Sequence, residues 1–332
     1  MILAGDIGGT NTRLALFARD GSGRLRPLTE KSYPSRAHDS LESIVALFLQ
    51  DEATRPDGPA GPIEAASFGV AGPVRRGRCE TTNLPWVIEA KRLAALAGLA
   101  TAGLINDLEA NAWGLDELGP CDVLVLSAGA PGAGGNSAII SAGTGLGEAG
   151  LFWEGRRHIP FATEGGHADF APRNDIEDGL LRYLRARFGR VSWERVVSGP
   201  GLASIYAFLR DTGRGQETAW MAEEMGRGDP AAAITSAALE GRCTLASQAL
   251  DLFVSLYGAE AGNLALKTLA TGGLYVGGGI APRIGERLQA GGFMEAFLAK
   301  GRMRTLMESM PVRVVLNAGT GLLGAARHAA GA

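Results

Sequence analysis

At 332 residues, with 46% hydrophobic and 20% charged residues, the chain has enough apolar material for two folded domains and does not have the composition of a disordered segment. A net charge of −3 with no basic stretch argues against a nucleic-acid partner, because binding a phosphate backbone needs a positive surface. Three widely separated cysteines give neither metal-ligand spacing nor a disulfide framework, the first apolar run is cut by Asp6 without a basic leader, and no apolar run reaches the roughly 18–20 residues of a membrane span, so a cytoplasmic protein with no membrane partner is expected.

The chain opens on two apolar runs, Ile2–Ala4 and Leu14–Phe17, flanking Asp6 and the turn Gly8-Gly9-Thr10-Asn11. The runs predict buried strands and the turn a tight hairpin. Glycines let a ligand approach the backbone, whose successive N–H groups can cradle a phosphate. Asp6 would face that ligand and hold a magnesium ion through water; an ordinary hairpin with a capping Asp is the alternative. After a turn at 21–26, Lys31–Tyr33 reads as a third strand. Leu41, Ile44, Val45, Phe48 and Leu49 recur at helical spacing, which predicts a helix over Ser40–Glu52. A Pro- and Gly-rich loop at 55–62 precedes a strand over Ile63–Val70. The extended segment Cys79–Trp86 ends near Asn83 and Trp86, which would bind or wall a sugar; core packing is the alternative for Trp86. A helix around Leu93 and Leu96 follows, then a strand over Thr101–Ile105 running into Asn106-Asp107, then a helix over Leu108–Leu118.

A second round begins with strands at Asp122–Leu126 and Ser137–Ser141, the turn Gly143-Thr144-Gly145-Leu146-Gly147 and an apolar run ending at Trp153. Strand, Gly-Thr turn and strand repeat the N-terminal pattern, which reads as a degenerate internal duplication. Helices are predicted at Asp175–Phe188, Leu202–Asp211 and Thr218–Gly226, with one long buried helix over Ala231–Gly258. A strand from Gly272 enters the turn Gly277-Gly278-Gly279, Val312–Leu316 is a late strand, and Gly321–Ala330 is a final helix that would pack back on the first domain.

The two Gly-Thr turns and the Gly277–Gly279 cluster form one constellation for a nucleotide in a cleft between two domains. Asp6, Gly8, Gly9, Thr10 and Asn11 would hold one end of a polyphosphate, Gly143, Thr144 and Gly145 the other, and Gly278 and Gly279 the base or ribose. No P-loop occurs, and the one G-x-G-x-x-G, at Gly145, Gly147 and Gly150, leads into a strand rather than a helix. Asp107, between a strand and a helix, would accept the proton of an attacking hydroxyl, with Asn106 beside it; a helix cap is its plain alternative. Glu164 and His167, separated by two glycines, would bind a polyhydroxylated substrate, with Glu194 a further acceptor or else a surface Glu.

Together these residues resemble the bacterial glucokinase family of the actin-like ATPase and sugar kinase superfamily. The matching stretches are G-D-I-G-G-T-N-T-R-L-A-L (5–16), F-G-V-A-G-P-V (68–74), T-N-L-P-W (82–86), I-N-D-L (105–108), G-T-G-L-G (143–147), E-G-G-H-A-D-F-A-P (164–172), E-R-V-V-S-G-P-G-L (194–202) and the Gly-Gly-Gly-Ile turn (277–280). The resemblance implies a two-domain α/β actin-like fold, each domain a mixed sheet flanked by helices, with residues 1–117 plus 318–332 in the smaller domain and 118–317 in the larger. It implies ATP-dependent phosphorylation of the 6-hydroxyl of D-glucose, with Mg²⁺, in a homodimer. By motif match, Asp107 is the expected base, Asn106, Glu164, His167 and Glu194 the substrate ligands, and Asp6 the magnesium-associated carboxylate. The stretch directly after His167, Ala-Asp-Phe-Ala-Pro (168–172), contains no cysteine, unlike the zinc-bearing repressor and sugar-kinase group. A kinase for another hexose or aminosugar is the alternative. A DNA-binding sugar sensor is disfavoured, since the first strand begins almost at once and leaves no room for a helix-turn-helix.

Overall fold

The computed structural model describes residues 1–331 apart from Ser22, Pro56, Asp57, Pro59, Ala60 and Thr82. Parts of the expected 21–26 turn, the 55–62 loop and the 82–86 stretch therefore lie outside the described residues. In chain order the elements begin with β1 (Ile2–Ile7), β2 (Asn11–Arg19), β3 (Leu25–Pro34), α1 (Leu41–Thr54), β4 (Ala65–Val70), β5 (Val74–Arg75), β6 (Arg78–Glu80), β7 (Val87–Glu89), α2 (Ala90–Leu96), β8 (Gly103–Asn106) and α3 (Asp107–Gly114). They continue with β9 (Val123–Ser127), β10 (Ser137–Ala142), β11 (Leu146–Trp153), β12 (His158–Thr163), α4 (Asp175–Phe188), α5 (Gly199–Asp211), α6 (Ala219–Arg227), α7 (Pro230–Leu239) and α8 (Thr244–Thr268). The last are β13 (Gly273–Gly277), three short helices α9 (Gly285–Gln289), α10 (Gly292–Leu298) and α11 (Arg304–Glu308), β14 (Val312–Val315) and α12 (Thr320–Ala329). The chain divides into two compact units, Met1–Asp122 with His158–Ala162 and Asn317–Ala332, and Val123–Arg157 with Thr163–Leu316.

The first unit is built on a sheet of order β3-β2-β1-β4-β8. β1 and β2 form the antiparallel hairpin, with Gly5 opposite Leu14, and β4 lies parallel to β1, with Gly5 opposite Phe68. Side chains alternate between the two faces of a strand. Leu3 and Ile7 accordingly join Leu14, Leu16 and Phe68 in a core with Leu41, Ile44, Val45 and Phe48 of α1. Ile2 and Ala4 point the other way, onto Leu322, Ala325 and Ala326 of α12. Helix α12 also lies against α3 at backbone distance: a Cβ on Gly324 would stand 1.6 Å from the Ala110 carbonyl oxygen, and one on Gly114 2.1 Å from that of Thr320.

The second unit's sheet carries the order β11-β10-β13-β14-β9. β10 and β11 are the antiparallel hairpin, β13 is parallel to β10 and β14 to β13. The same arrangement of hairpin followed by two parallel strands builds both sheets, as the repeated strand–turn–strand pattern implied. One large core joins Ile140 and Val276 of the strands to Leu202 and Ile205 of α5 and Phe253 and Tyr257 of α8.

The single helix expected over 231–258 is two helices. Gly241 adopts φ 67°, a left-handed conformation that stops α7, and the Cys243 sulfur accepts the Ala246 N–H at 3.4 Å to start α8. Apolar content is high on both sides of this break, so periodicity alone runs through it. Strands β5, β7 and β12 and helices α9–α11 add to the elements read from the sequence.

Candidate active site

In the first unit the turn after β1 is closed by the Gly8 N–H donating to the Asn11 carbonyl at 2.9 Å. Ser35 Oγ donates to the Gly8 carbonyl at 2.8 Å, and its N–H to that of Thr10 at 2.8 Å, so Gly9 and Thr10 stand at a braced tip. Asn83 packs over this tip: a Cβ on Gly9 would lie 2.8 Å from that of Asn83. Trp86 is 3% exposed within the core and donates its Nε1–H to the His38 carbonyl at 3.3 Å, which settles it as a packing residue. One oxygen of Asp6 accepts from Arg13 Nη2 at 2.6 Å, a partner the sequence did not single out, and Arg13 also donates to the Ala318 carbonyl.

Strand β8 delivers Asn106 and Asp107 to the start of α3. Asn106 is the helix cap: its Oδ1 accepts the Leu108 N–H at 2.9 Å, while its Nδ2 donates to the Gly72 carbonyl at 3.1 Å. Asp107 Oδ1 also accepts from the Leu108 N–H, at 2.9 Å. Burial, with the negative charge of Asp6 adding to it, raises the Asp107 carboxyl from 3.8 to about 6 against the stabilising Leu108 N–H. Such a group is mostly ionised at neutral pH and is a better proton acceptor than an ordinary Asp.

In the second unit a cavity of about 1180 Å³ is lined by Gly143, Thr144 and Gly279. The start of α5 reaches it with Ser198, Gly199, Pro200 and Gly201, and its rim carries Arg187, Arg195 and Arg283 alongside Glu194, Asp229 and Glu240. Around Gly143 and Gly279 a Cβ would meet nothing within 4 Å, so both present bare backbone to open space. Gly145 and Gly278 do not line the cavity: a Cβ on Gly145 would lie 2.6 Å from Glu194 Oε2, and Gly278, at φ 83°, is pressed against the Ala142 carbonyl. The Tyr257 hydroxyl, fully buried, accepts the Ala142 N–H at 3.1 Å and lies 3.2 Å from the Gly277 carbonyl, tying the ends of β10 and β13 together beneath the turns.

Ser198 caps α5 by accepting the Gly201 N–H at 3.1 Å, and the Gly199 N–H donates to the Gly143 carbonyl at 2.8 Å, so the helix start braces the Gly143 turn beside the cavity. That helix start at Gly199 was missed in the sequence, although Ser-Gly-Pro-Gly before an apolar helical run is a start signal with Pro inside the first turn. Glu194 is not a free surface residue. It sits in a short helical turn, lines the cavity, and its Oε2 accepts the Leu146 N–H at 3.0 Å, bracing the Gly143–Gly147 turn. Glu164 and His167 are brought together on one turn, with His167 Nε2 3.9 Å from Glu164 Oε2 and the side chains 59% and 83% exposed for His167 and Glu164 respectively. Among the described residues no cluster of three or more His, Cys, Asp or Glu could hold a metal.

The two sheets of one hairpin-and-parallel topology give the actin-like ATPase fold, to which the second unit adds a backbone-lined cavity and the first a buried carboxylate. A family model described as Glucokinase matches residues 3–332. A glucokinase of Synechocystis sp. is 47% identical, over 99% of this chain and 97% of its own. The crystal structure of a glucokinase from an Antarctic psychrotroph superposes with a TM-score of 0.85 at 32% identity, covering 100% of this chain and 99% of that one. A glucokinase of the ROK family from Streptomyces griseus, solved in complex with glucose and AMPPNP, shares the fold with a TM-score of 0.63 at 24% identity, covering 100% and 99% of the two chains. The chain belongs to the glucokinase family, whose activity is the ATP-dependent phosphorylation of glucose, and it is a hexose kinase of that kind.

Proposed function

We propose that the chain transfers the γ-phosphoryl group of ATP to the 6-hydroxyl of D-glucose, with Asp107 as general base. The observation that carries this reading is the Asp107 carboxyl itself, fixed at the start of α3 and raised to about 6 without being neutralised at physiological pH. The 6-oxygen attacks the γ-phosphorus as the bond to the β,γ-bridging oxygen breaks; the hydroxyl proton passes to Asp107, and ADP leaves. Asn83, Asn106, Glu164, His167 and Glu194 are assigned to the sugar. The carboxylates accept hydrogen bonds from its hydroxyls, and the imidazole and amides donate or accept.

The nucleotide is assigned to the Gly143, Thr144 and Gly279 backbone, with Gly145 and Gly278 shaping those turns from behind, and to the turn Gly8, Gly9, Thr10 and Asn11. The breadth of the cavity and the bare backbone that Gly143 and Gly279 present to it support this. Magnesium, when bound, neutralises phosphate charge. A single carboxylate beside substrate phosphates and water suits that ion, and Asp6, with one oxygen already on Arg13, offers no more than that. A homodimer in the cytoplasm belongs to the same proposal. Family membership supports it, as do cysteines that are all free thiols, and no helix among the described residues is long and apolar enough to cross a membrane.

The test is a coupled assay of glucose, mannose, fructose and glucosamine, each with ATP, ADP and polyphosphate, with the product's phosphorylated carbon read by NMR. Glucose with ATP should exceed every other pairing in kcat/KM by at least about tenfold and give the 6-phosphate. A higher value for another sugar would make that sugar the substrate, and no transfer to any sugar would overturn the kinase reading.

A further inference from the structure

Two buried carboxyl groups lie behind the Glu164–His167 turn, and the reaction uses neither. Glu148, on β11, is 2% exposed, and Glu260, on α8, is fully buried. Glu260 is well partnered: Asn263 Nδ2 donates to it at 2.7 Å and Lys267 Nζ at 3.4 Å. Lys300 extends the cluster, donating to Asn263 Oδ1 at 2.6 Å and to the Ala259 carbonyl at 2.9 Å. Glu148 differs. Its Oε1 is buried without a hydrogen-bond partner, and its Oε2 is aimed at the turn, 1.9 Å from where a Cβ on Gly165 would stand.

The turn rests on β11 through two further contacts and is braced by one of its own. Thr163 Oγ1 donates to the Glu148 carbonyl at 2.9 Å and accepts the Gly165 N–H at 3.3 Å. A Cβ on Gly166 would stand 2.1 Å from the Leu146 carbonyl oxygen. Neither Gly165 nor Gly166 has a positive φ, so this Gly-Gly pair is there for close approach to β11 and not for a left-handed bend.

We propose that Glu148 is a positioning residue for sugar recognition: its buried carboxyl is the seat of the Glu164–His167 turn and sets where those two side chains meet the sugar. The proposal rests on reading Glu164 and His167 as sugar ligands. Two carboxyls in a dry site do not both ionise readily. Burial, then the Glu260 charge, push Glu148 up to about 8 against the opposing Lys267, so near neutral pH Glu148 is the protonated member of the pair. Tyr257 of α8 and Lys300 are the other titratable groups around the pair, with Glu164 and His167 on the turn itself. Above about pH 8 a second negative charge develops under the turn, and the seat loosens.

The test compares wild type, Glu148→Gln and Glu148→Ala at pH 7 and pH 9, reading glucose KM, ATP KM and kcat. Wild-type glucose KM should rise at least about threefold over that interval while ATP KM stays within about twofold. Glu148→Gln, neutral at both pH values and nearly the same shape, should keep the pH 7 glucose KM and lose the rise. Glu148→Ala should raise glucose KM about tenfold at both pH values, the scale of a small misplacement of binding groups. A Glu148→Gln enzyme whose glucose KM climbs as steeply as wild type overturns the proposal, and this variant decides the matter even if the Ala variant fails to fold. So does an Ala variant in which both KM values change in equal proportion. His167→Ala and Glu164→Gln are measured alongside. If neither raises glucose KM, the sugar-ligand reading fails and takes the proposal with it; if both do and Glu148→Ala does not, only the positioning role fails.

Discussion

Asp107→Asn is expected to lower kcat at least about a hundredfold in a protein that folds normally, the usual loss for a positioned acid–base group. The substitution is nearly isosteric, and the amide oxygen can still accept the Leu108 N–H that Asp107 Oδ1 accepts at 2.9 Å. Helix α3 does not depend on it, because Asn106 supplies the cap. What is lost is the ability to take a proton. The pH profile gives a second readout. Asp107 is raised from 3.8 to about 6, so the basic form predominates above that pH and is lost as pH falls through it. Wild-type kcat/KM should therefore fall about tenfold per pH unit below about 6, and the residual activity of Asp107→Asn should lack that limb. An unperturbed Asp would place the limb nearer 4. Near-normal turnover in the Asn variant would remove Asp107 from the chemistry.

Gly324→Ala is expected to be the most destabilising single methyl group in the first unit, costing about 3 kcal/mol or preventing folding. The added Cβ would stand 1.6 Å from the Ala110 carbonyl oxygen and 2.6 Å from the Gly114 nitrogen. Both are backbone atoms of α3, so no side chain can rotate away, and α12 must move off the sheet that buries Leu322, Ala325 and Ala326. Gly279→Ala is the control, since its Cβ would meet nothing within 4 Å; its urea midpoint should stay within about 0.5 kcal/mol of wild type. A Gly324→Ala protein that unfolds at the wild-type midpoint would show that α3 and α12 are not held at backbone distance in solution.

Much of the fold was legible because the strands and many helices follow clean periodicities. Helix α4 begins after a capping Asn174 and ends at Gly189 with φ 73°, and both signals stand in the sequence. The β1–β2 hairpin and its echo at β10–β11 were legible because each places Gly and Thr between apolar runs. The break between α7 and α8 was not, since burial on many sides hides where one helix stops, and a single Gly241 is a weak signal within an apolar stretch. Among site residues, those in Gly-rich turns drew notice because glycine marks close backbone approach. Arg13 and Glu148 did not, because each is a charged residue set beside an apolar run of its strand. Only pairing in space, with Asp6 and with Glu260, shows what they do.

The return of α12 to the first unit also bears on how the chain is made. Ile2, Ala4, Ala15 and Phe17 leave the ribosome before the second unit, but the Leu322, Ala325 and Ala326 that cover them are synthesised after it. At roughly 5–20 residues per second, the part ending at Asp122 waits on the order of 10–40 s for its closing helix. The nascent β1–β2 hairpin must meanwhile hold one apolar face bare, a natural substrate for a holding chaperone. The second unit draws its core from residues 138–314 and can close before α12 emerges. The part of the enzyme begun first is thus completed last.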